Sequence, residues 1–388
     1  MIPDQENITV QVKKTIGGDK GIWAIVLLLA LISLAAVYSS SIVLVGKKSV
    51  FYFLIKQSLF AATGLGVIYF CHLIPLGMYR GLAFLGLIFA IGLLTATLFW
   101  GTTHNDGTRW IELAGVSFQP AELAKVALVL YMAKALEDRT CNTFKEFSIY
   151  LLLPAGIVCL LILWGSISAG VLLGSTAFMV WVIAGVSAKH LFKTLGIMGA
   201  GLVLIVALAV WTPLFPRVET AFGRITRFAR LAPEEEVDNY QADQAKIAIA
   251  SGGIFGKGPG NSTQRLFLPK RESDFIYAII VEEYGLLGGV AVLMLFLWFF
   301  YRSCLIAQRC TRRFSLLLVV GLGMYVVFQA LLHIGVNVGL LPVTGQTLPL
   351  VSRGGTSFLA VSAAVGMILA VSRTIEKTKP QTEEVVHE

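Results

Sequence analysis

The chain has 388 residues, of which 56% are hydrophobic and only 14% are charged, and its formal net charge is +8. With a mean hydropathy of +0.78, this composition excludes an ordinary soluble domain and predicts an integral membrane protein. A bilayer core needs about 20 apolar residues for each helical pass. The chain contains many such runs, so we expect an all-α, polytopic membrane protein.

The apolar runs predict ten transmembrane helices. The run at 147–188 is too long for one pass, and residues 164–170 make a natural turn inside it. The first run is longer than a signal-peptide core and has no clear cleavage site, so we expect a retained helix. The predicted passes lie at 21–46, 51–71, 81–103, 120–137, 147–188 (two passes), 194–216, 275–301, 315–340 and 356–372.

The basic residues of the short loops predict the orientation of the chain. Lysine and arginine gather in alternate loops, whereas the opposite short loops hold little beyond Lys47, Lys48 and Arg109. By the positive-inside rule, both termini are then cytoplasmic. The predicted parts are a cytoplasmic segment at 1–20, a membrane domain at 21–375, one large extracytoplasmic loop at 217–273 between helices 7 and 8, and a cytoplasmic tail at 376–388.

The net charge of +8 does not indicate a nucleic-acid-binding protein. The loop bias accounts for most of the charge, and contact with anionic membrane lipids is a better use for it. The five cysteines lie in predicted helices or inner loops, so no disulfide framework is expected, and no Cys or His pair has ligand spacing, so no zinc site is expected.

Two features stand out in the large loop. Arg224, Arg227 and Arg230 alternate with apolar residues, which predicts either a short interfacial helix or, equally well, a solvated basic turn. The apolar spacing at 240–250 predicts a helix, and glycines at 251–260 end it. Such glycines either bring the backbone close to a bulky ligand or simply make turns.

Asp274 is the last polar residue before the apolar run that starts at Phe275. A carboxylate is therefore expected at the mouth of a membrane helix. Two further acids, Glu282 and Glu283, lie within the same run. Carboxylates in such positions are candidates for function, although Asp274 could also serve as the N-cap of its helix.

The fourth predicted helix carries an ion pair. Pro120 suits the start of a helix, and Glu122 and Lys125 are three residues apart on one face. Lys125 lies at about the depth of Glu282 and Glu283, so we expect it to pair with Glu122 and with one of those two acids. The pair either holds helices together or forms the floor of an outward-facing polar cavity.

The segment 337–357 combines prolines, glycines and polar residues inside an uncharged stretch. This pattern predicts irregular backbone that dips into the membrane. Such backbone is tolerated only against protein or a watery cavity. A role in lining a ligand site is favoured over a purely structural turn.

Five strings occur along the chain in a fixed order: RWI, QPAELAK, YQADQAKIAIASGGIFGKGPG, LPKRESDFIYAIIVEEYG and GVNVGLLPVTGQTLPLVSRGGTS. With them the chain resembles the SEDS family (shape, elongation, division and sporulation) from about Gly18 to Arg373. The last string is more similar to the division member FtsW than to the elongation member RodA.

The resemblance implies a peptidoglycan glycosyltransferase that polymerises lipid II at the outer face of the cytoplasmic (inner) membrane, in septal wall synthesis. It implies that Asp274 is the catalytic carboxylate, because Ser273-Asp274-Phe275 stands where the family has Thr-Asp-Phe. It implies substrate-binding roles for Arg109, Gln119, Glu122, Lys125, Glu282, Glu283, Ser352, Gly354 and Gly355.

The chain also departs from the family pattern. Lys270 stands where Glu is common and Arg353 where Tyr is common, and both are candidate cations beside a diphosphate. Residues 167–170 replace a Pro-Asp-Leu-Gly element, so no role of that Asp carries over.

The implied reaction needs a single general base. Joining an α-linked glycosyl diphosphate to a sugar hydroxyl as a β-linkage inverts the anomeric carbon in one displacement, and diphosphate is already a good leaving group. Cations would offset the charge on undecaprenyl diphosphate as it leaves. No cofactor is evident, although a divalent cation (Mg²⁺ or Mn²⁺) could share that task.

Two other classes of protein fit the same features. A lipid II flippase would also have a polar cavity and broken helices. A non-catalytic scaffold would recruit a transpeptidase without making polymer. The resemblance itself implies partnership with a class B penicillin-binding protein and other division proteins.

Overall fold

The computed structural model of the protein describes residues 17–41, 50–104, 107–113, 116–211, 223 and 236–384. The interfacial helix considered for Arg224, Arg227 and Arg230 lies outside these residues. The described helices are α1 (Lys20–Ser41), α2 (Val50–Leu73), α3 (Leu76–Trp100), α4 (Pro120–Asp138), α5 (Phe144–Gly165), α6 (Ile167–Ile183), α7 (Ala188–Trp211), α8 (Glu236–Gly252), α9 (Ile276–Gln308), α10 (Arg313–Asn337) and α11 (Gly355–Glu384).

Seven of these helices are long and apolar enough to cross a membrane: α1, α2, α3, α5, α9, α10 and α11. The protein is thus a mostly helical, multi-pass membrane protein. The other three predicted passes coincide with α4, α6 and α7. The total of ten passes stays a prediction.

The long apolar run divides in two as predicted. Helix α5 ends at Gly165, and the Ser166 N–H donates to the Ile162 carbonyl at 2.7 Å. The Ser166 hydroxyl accepts from the Ala169 N–H at 3.4 Å and caps α6. A serine at an N-cap replaces a hydrogen bond that the first turn of a helix lacks.

A small sheet between α3 and α4 departs from the all-α prediction. Its strands are β1 (Thr102–His104), β2 (Gly107–Leu113) and β3 (Val116–Phe118), and both pairings are antiparallel. The register places Thr103 opposite Thr108 and Ile111 opposite Phe118. The apolar residues of this stretch are too few for a membrane pass, so hydropathy marks it only as a loop and the strands were missed.

Helices α4, α10 and α11 form the centre of the bundle, whereas most of α2 and α3 is exposed. Helix α2 packs along α11 through glycines. A Cβ added at Gly366 would lie under 3.0 Å from the Ile68 carbonyl oxygen, and one at Gly64 would collide with the Phe358 ring. Small residues at such a crossing let two membrane helices approach closely.

The bundle has two polar ends. Asp274 precedes α9, and the irregular segment 338–354 follows α10 at the same end. At the opposite end Arg302 pairs with Asp19, and Arg80 pairs with Glu137 at 2.8 Å. Both ends therefore carry ionisable side chains while the described helices between them are mostly apolar.

Candidate functional site

Asp274 lies in the turn that leads into α9. Its N–H donates to the Lys270 carbonyl at 3.0 Å. Its side chain is 17% exposed, and the Lys270 ammonium lies 3.9 Å from Oδ2. The helix begins two residues later at Ile276, and Phe275 occupies the N-cap position without a side-chain cap. Asp274 is therefore not the N-cap of α9, and that alternative was wrong.

Asn337, at the end of α10, holds the turn that carries Asp274. Its Nδ2 donates to the Asp274 carbonyl at 3.2 Å and to the His333 carbonyl at 2.8 Å, and its Oδ1 accepts from the Ala278 N–H at 3.1 Å. The sequence analysis missed this role. A buried amide between an apolar helix and a glycine break was the available signal, because a buried amide needs such partners.

The segment 338–354 meets the Asp274 turn directly. The Ser352 hydroxyl donates to the Ser273 carbonyl at 2.7 Å and accepts from the Leu348 N–H at 2.8 Å. A Cβ added at Gly345 would lie 3.7 Å from Asp274 Oδ2, so this backbone borders the carboxylate. The irregular backbone packs against α10, where Gln329 and His333 bond its carbonyls. The predicted irregular segment is confirmed, and protein covers its buried side.

Arg353 and Glu272 join the same two segments. The Arg353 N–H donates to the Glu272 carbonyl at 2.8 Å, and its Nη1 lies 2.8 Å from Glu272 Oε2. The guanidinium is 24% exposed. Part of it thus faces solvent beside the Asp274 turn while Glu272 holds it in place.

Three other candidates lie at the start of α4 and α11. The Gln119 N–H donates to the Thr356 hydroxyl at 3.2 Å, which ties the two helix starts together. Gly354 lies against Thr347, since an added Cβ would come within 3.1 Å of its Cγ2. A Cβ at Gly355 would meet nothing within 4 Å, so that position adjoins open space.

Two more cations belong to this end of the bundle. Arg109 lies in β2, and its side chain is outside what the structure describes. The Arg271 Nε donates to the Ser40 carbonyl at 2.9 Å. Burial lowers the pKa of the Arg271 guanidinium, and the Glu272 carboxylate opposes that shift. A guanidinium keeps its proton in proteins, so Arg271 stays cationic.

Glu122 and Lys125 form the predicted ion pair. Lys125 Nζ lies 2.7 Å from Glu122 Oε1, and the Tyr325 hydroxyl donates to Glu122 Oε2 at 3.1 Å. The ammonium also lies 5.2 Å from the centre of the Tyr325 ring. All three side chains are buried between α4 and α10. This cluster is fully engaged within the protein.

The second half of that prediction was wrong, because neither Glu282 nor Glu283 pairs with Lys125. Glu282 lies 2.7 Å from Lys257 Nζ and accepts from the Thr263 N–H at 3.0 Å and from the Ser262 hydroxyl. Glu283 accepts from the Ser39 hydroxyl and from the Ser262 N–H at 3.4 Å. Equal depth did not bring the groups together, because the loop 253–264 folds onto α9 and supplies its own partners.

That loop enters a break in α9 at Gly285, whose φ is 71°. The Lys257 and Gly258 N–H groups donate to the Glu282 and Glu283 carbonyls at 3.0 and 2.9 Å. In return the Leu286 and Leu287 N–H groups donate to the Gly253 and Ile254 carbonyls at 2.9 and 3.3 Å. The loop thus replaces the helical hydrogen bonds lost at the break, as an apolar surrounding requires. The glycines of this loop let its backbone contact helix α9. The sequence had suggested either a ligand or simple turns as the reason for these glycines, and neither interpretation included contact with a helix.

The contribution of the Glu122–Lys125 ion pair to the stability of the protein can be tested by substitution. We expect Lys125→Met to destabilise the protein by about 3–5 kcal/mol, because Glu122 would keep a buried charge without its cation. Adding Glu122→Gln should recover most of this loss. Thermal unfolding of both variants in detergent measures it. A double variant no more stable than the single one would show that the two charges do not depend on each other.

Among the described residues, no group of three or more His, Cys, Asp or Glu side chains could hold a metal ion. The divalent cation considered above thus stays an untested expectation. The chemistry carried by described side chains at this end is a partly exposed carboxylate with an ammonium and a guanidinium on neighbouring residues. That combination can remove a proton from one group and balance negative charge on another.

Comparison with known proteins agrees with this arrangement. The family model for FtsW, RodA and SpoVE, described as "Cell cycle protein", matches residues 19–377. A protein of Nitrosococcus halophilus named "Probable peptidoglycan glycosyltransferase FtsW" is 36% identical over 332 residues, which cover 82% of each chain. "Stage V sporulation protein E" of Bacillus subtilis is 32% identical over 359 residues, 90% of this chain and 95% of its own.

Two solved structures share the fold. One, described as "Structural coordination of polymerization and crosslinking by a peptidoglycan synthase complex", contains a chain that is 28% identical with a TM-score of 0.74, over 92% of this chain and 98% of that one. The crystal structure of the rod shape determining protein RodA of Thermus thermophilus is 27% identical with a TM-score of 0.66, over 92% and 97%.

Proposed function

The chain belongs to the FtsW, RodA and SpoVE family of cell cycle proteins, and from this premise we propose that it is a peptidoglycan glycosyltransferase that polymerises lipid II. Relatives that match most of its length carry the name peptidoglycan glycosyltransferase FtsW. The proposed setting is septal wall synthesis, with Asp274 at the outer face of the inner membrane. The basic residues of the short loops at the opposite end, among them Arg80, Arg139, Arg309 and Arg312, support that orientation, because the positive-inside rule counts short loops.

Asp274 is the proposed general base. The observation that carries this assignment is a partly exposed carboxylate that borders the backbone at Gly345 and has its ion-pair partner, Lys270, no closer than 3.9 Å. Glu282 and Glu283 are almost completely buried and hydrogen-bonded, and Glu272, although 22% exposed, is held by Arg353 at 2.8 Å. Asp274 keeps 17% of its side chain open beside a glycine backbone. Of these four carboxylates it is the one best placed to meet an incoming hydroxyl.

The reaction then runs as one inverting displacement. The acceptor 4-hydroxyl oxygen attacks the anomeric carbon of the donor, and Asp274 takes the hydroxyl proton as the new C–O bond forms. The bond from that carbon to undecaprenyl diphosphate breaks, and the leaving group keeps the electron pair. Lys270, Arg353 and Arg109 are the proposed cations that balance its charge. Gln119, Ser352, Gly354 and Gly355 shape the surrounding backbone.

The buried charged residues near this end have structural roles in this proposal. Glu122, paired with Lys125, accepts from the Tyr325 hydroxyl and so holds α4 against α10, and Glu282 and Glu283 hold the loop 253–264 against α9. The proposed partner is a class B penicillin-binding protein. The similarity to a chain of a complex described as coordinating polymerisation and crosslinking supports a transpeptidase partner.

Reconstitution tests the function. Purified protein in liposomes, with and without a class B penicillin-binding protein, should convert lipid II into glycan strands, read as a ladder of polymer lengths. Movement of lipid II across the bilayer without polymer would indicate a flippase. Polymer absent under both conditions, with lipid II also unmoved, would indicate a scaffold.

A further inference from the structure

A cavity of about 210 Å³ opens at the end of the bundle away from Asp274. It lies among the start of α1 and the far ends of α9 and α11. Helix α9 is 33 residues long, so at 1.5 Å per residue the cavity is about 40–50 Å along the helix from Asp274. We call it the cation cavity, and its lining includes Asp19, Lys20, Arg302, Ile306, Arg309 and Glu376.

The acids of the cation cavity are already engaged. Asp19 accepts from Arg302 Nε at 3.0 Å and from the Ile22 N–H at 3.0 Å. Glu376 accepts from the Gly18 N–H at 2.7 Å. The lining thus holds three cationic side chains and two carboxylates, of which Asp19 is paired with Arg302 and Glu376 is bound to a backbone N–H. Counted over the described residues, the lining therefore carries a net positive charge.

Lys20 and Arg309 supply that charge. Over the described ranges, neither side chain forms an ion pair within the protein, and both are exposed. The same lining includes the apolar side chains of Ile306 and Ile375, together with Ser372. Cations beside apolar side chains at the ends of membrane helices match a phosphate group with the first carbons attached to it.

We propose that the cation cavity binds a phosphate group, and that its source is the headgroup of an anionic phospholipid. Lys20 and Arg309 contact the phosphate oxygens, while Arg302 is held in position by Asp19. Helix ends place the cavity at the depth of headgroups, which favours a lipid over a free anion. The bound lipid would link α1, α9 and α11 at the end that lacks the catalytic carboxylate.

Binding of defined lipids to the full chain tests this proposal. Native mass spectrometry of the detergent-solubilised protein should show phosphatidylglycerol retained in preference to phosphatidylcholine. The double variant Lys20→Gln, Arg309→Gln should bind phosphatidylglycerol about tenfold or more weakly, because it lacks two cations that attract an anionic headgroup at the membrane surface. The matched control removes the same charge from exposed residues outside the cavity, Lys189→Gln with Arg312→Gln, and should bind as the unchanged protein does.

Each outcome bears on the proposal. Equal retention of the two lipids, or equal loss in the two double variants, would overturn it in favour of general surface charge.

Competition with inorganic phosphate distinguishes a lipid headgroup from a free phosphate ion as the bound group. Phosphatidylglycerol that resists millimolar phosphate supports the lipid, whereas displacement at that concentration keeps the phosphate site and assigns it to a free anion. Thermal unfolding should be unchanged in both double variants, because the substituted side chains are exposed and form no ion pair with any residue that the structure describes.

Discussion

Replacing Asp274 with asparagine should abolish glycan polymerisation from lipid II, with a rate at least about 10²- to 10⁴-fold lower. The amide has the shape of the carboxylate but cannot accept the proton of the attacking hydroxyl. Folding should persist, because the turn is held through the Asp274 N–H and carbonyl, which bond Lys270 and Asn337 and do not involve the side chain. Lipid II polymerisation with the partner transpeptidase present measures the effect.

The matched control is Asp243→Asn on α8. Asp243 is an exposed acid that pairs with Lys246 at 3.3 Å, so its loss removes the same charge without touching the Asp274 turn. That variant should polymerise normally. Substantial polymer from Asp274→Asn, at the same protein level and melting temperature, would remove Asp274 from the role of base.

The second large effect concerns folding. Gly256→Ala should destabilise the protein by about 4 kcal/mol or more. An added Cβ would lie under 3.0 Å from the Glu283 carbonyl oxygen, and the φ of Gly256 is +83°. Neither the loop nor the broken helix can move without losing hydrogen bonds to the other. The melting temperature in detergent and the yield of folded protein report the loss.

Gly253→Ala separates the clash from the cost of the backbone conformation. Gly253 also has a positive φ, +56°, but an added Cβ meets nothing within 4 Å. Its substitution should cost about 1–2 kcal/mol, the usual penalty for a left-handed residue with a side chain. Equal destabilisation by the two alanines would mean that contact between the loop and α9 contributes little.

Much of the architecture could be predicted because it is encoded locally. A run of about 20 apolar residues is sufficient to indicate a membrane helix, and the turn at Ser166 interrupts such a run with residues that end helices. The Glu122 and Lys125 pair was predicted correctly for the same reason, since three residues of helix bring the two side chains to one face. The irregular backbone before α11 was marked by its prolines and glycines.

Contacts between distant segments could not be predicted in this way. Lys125 was assigned Glu282 or Glu283 from depth alone, but depth does not give the rotation of a helix about its axis. It also cannot show that a loop will fold back and offer Lys257 instead. Asn337 was missed because its partners, Asp274 and Ala278, lie about 60 positions away. The three-stranded sheet was missed because its strands are short, two of them with three residues each, and mix polar with apolar residues.

The break in α9 has a consequence for the length of the chain around it. Surface loops usually tolerate insertions and deletions, and the region before Asp274 is the longest stretch between predicted passes. Residues 253–258, however, complete the hydrogen bonding of a helix. Adding or removing one amino acid there would shift each donor away from its acceptor. Length variation in this region should therefore be confined to the stretch before α8, while the spacing from Gly252 to Gly285 stays fixed.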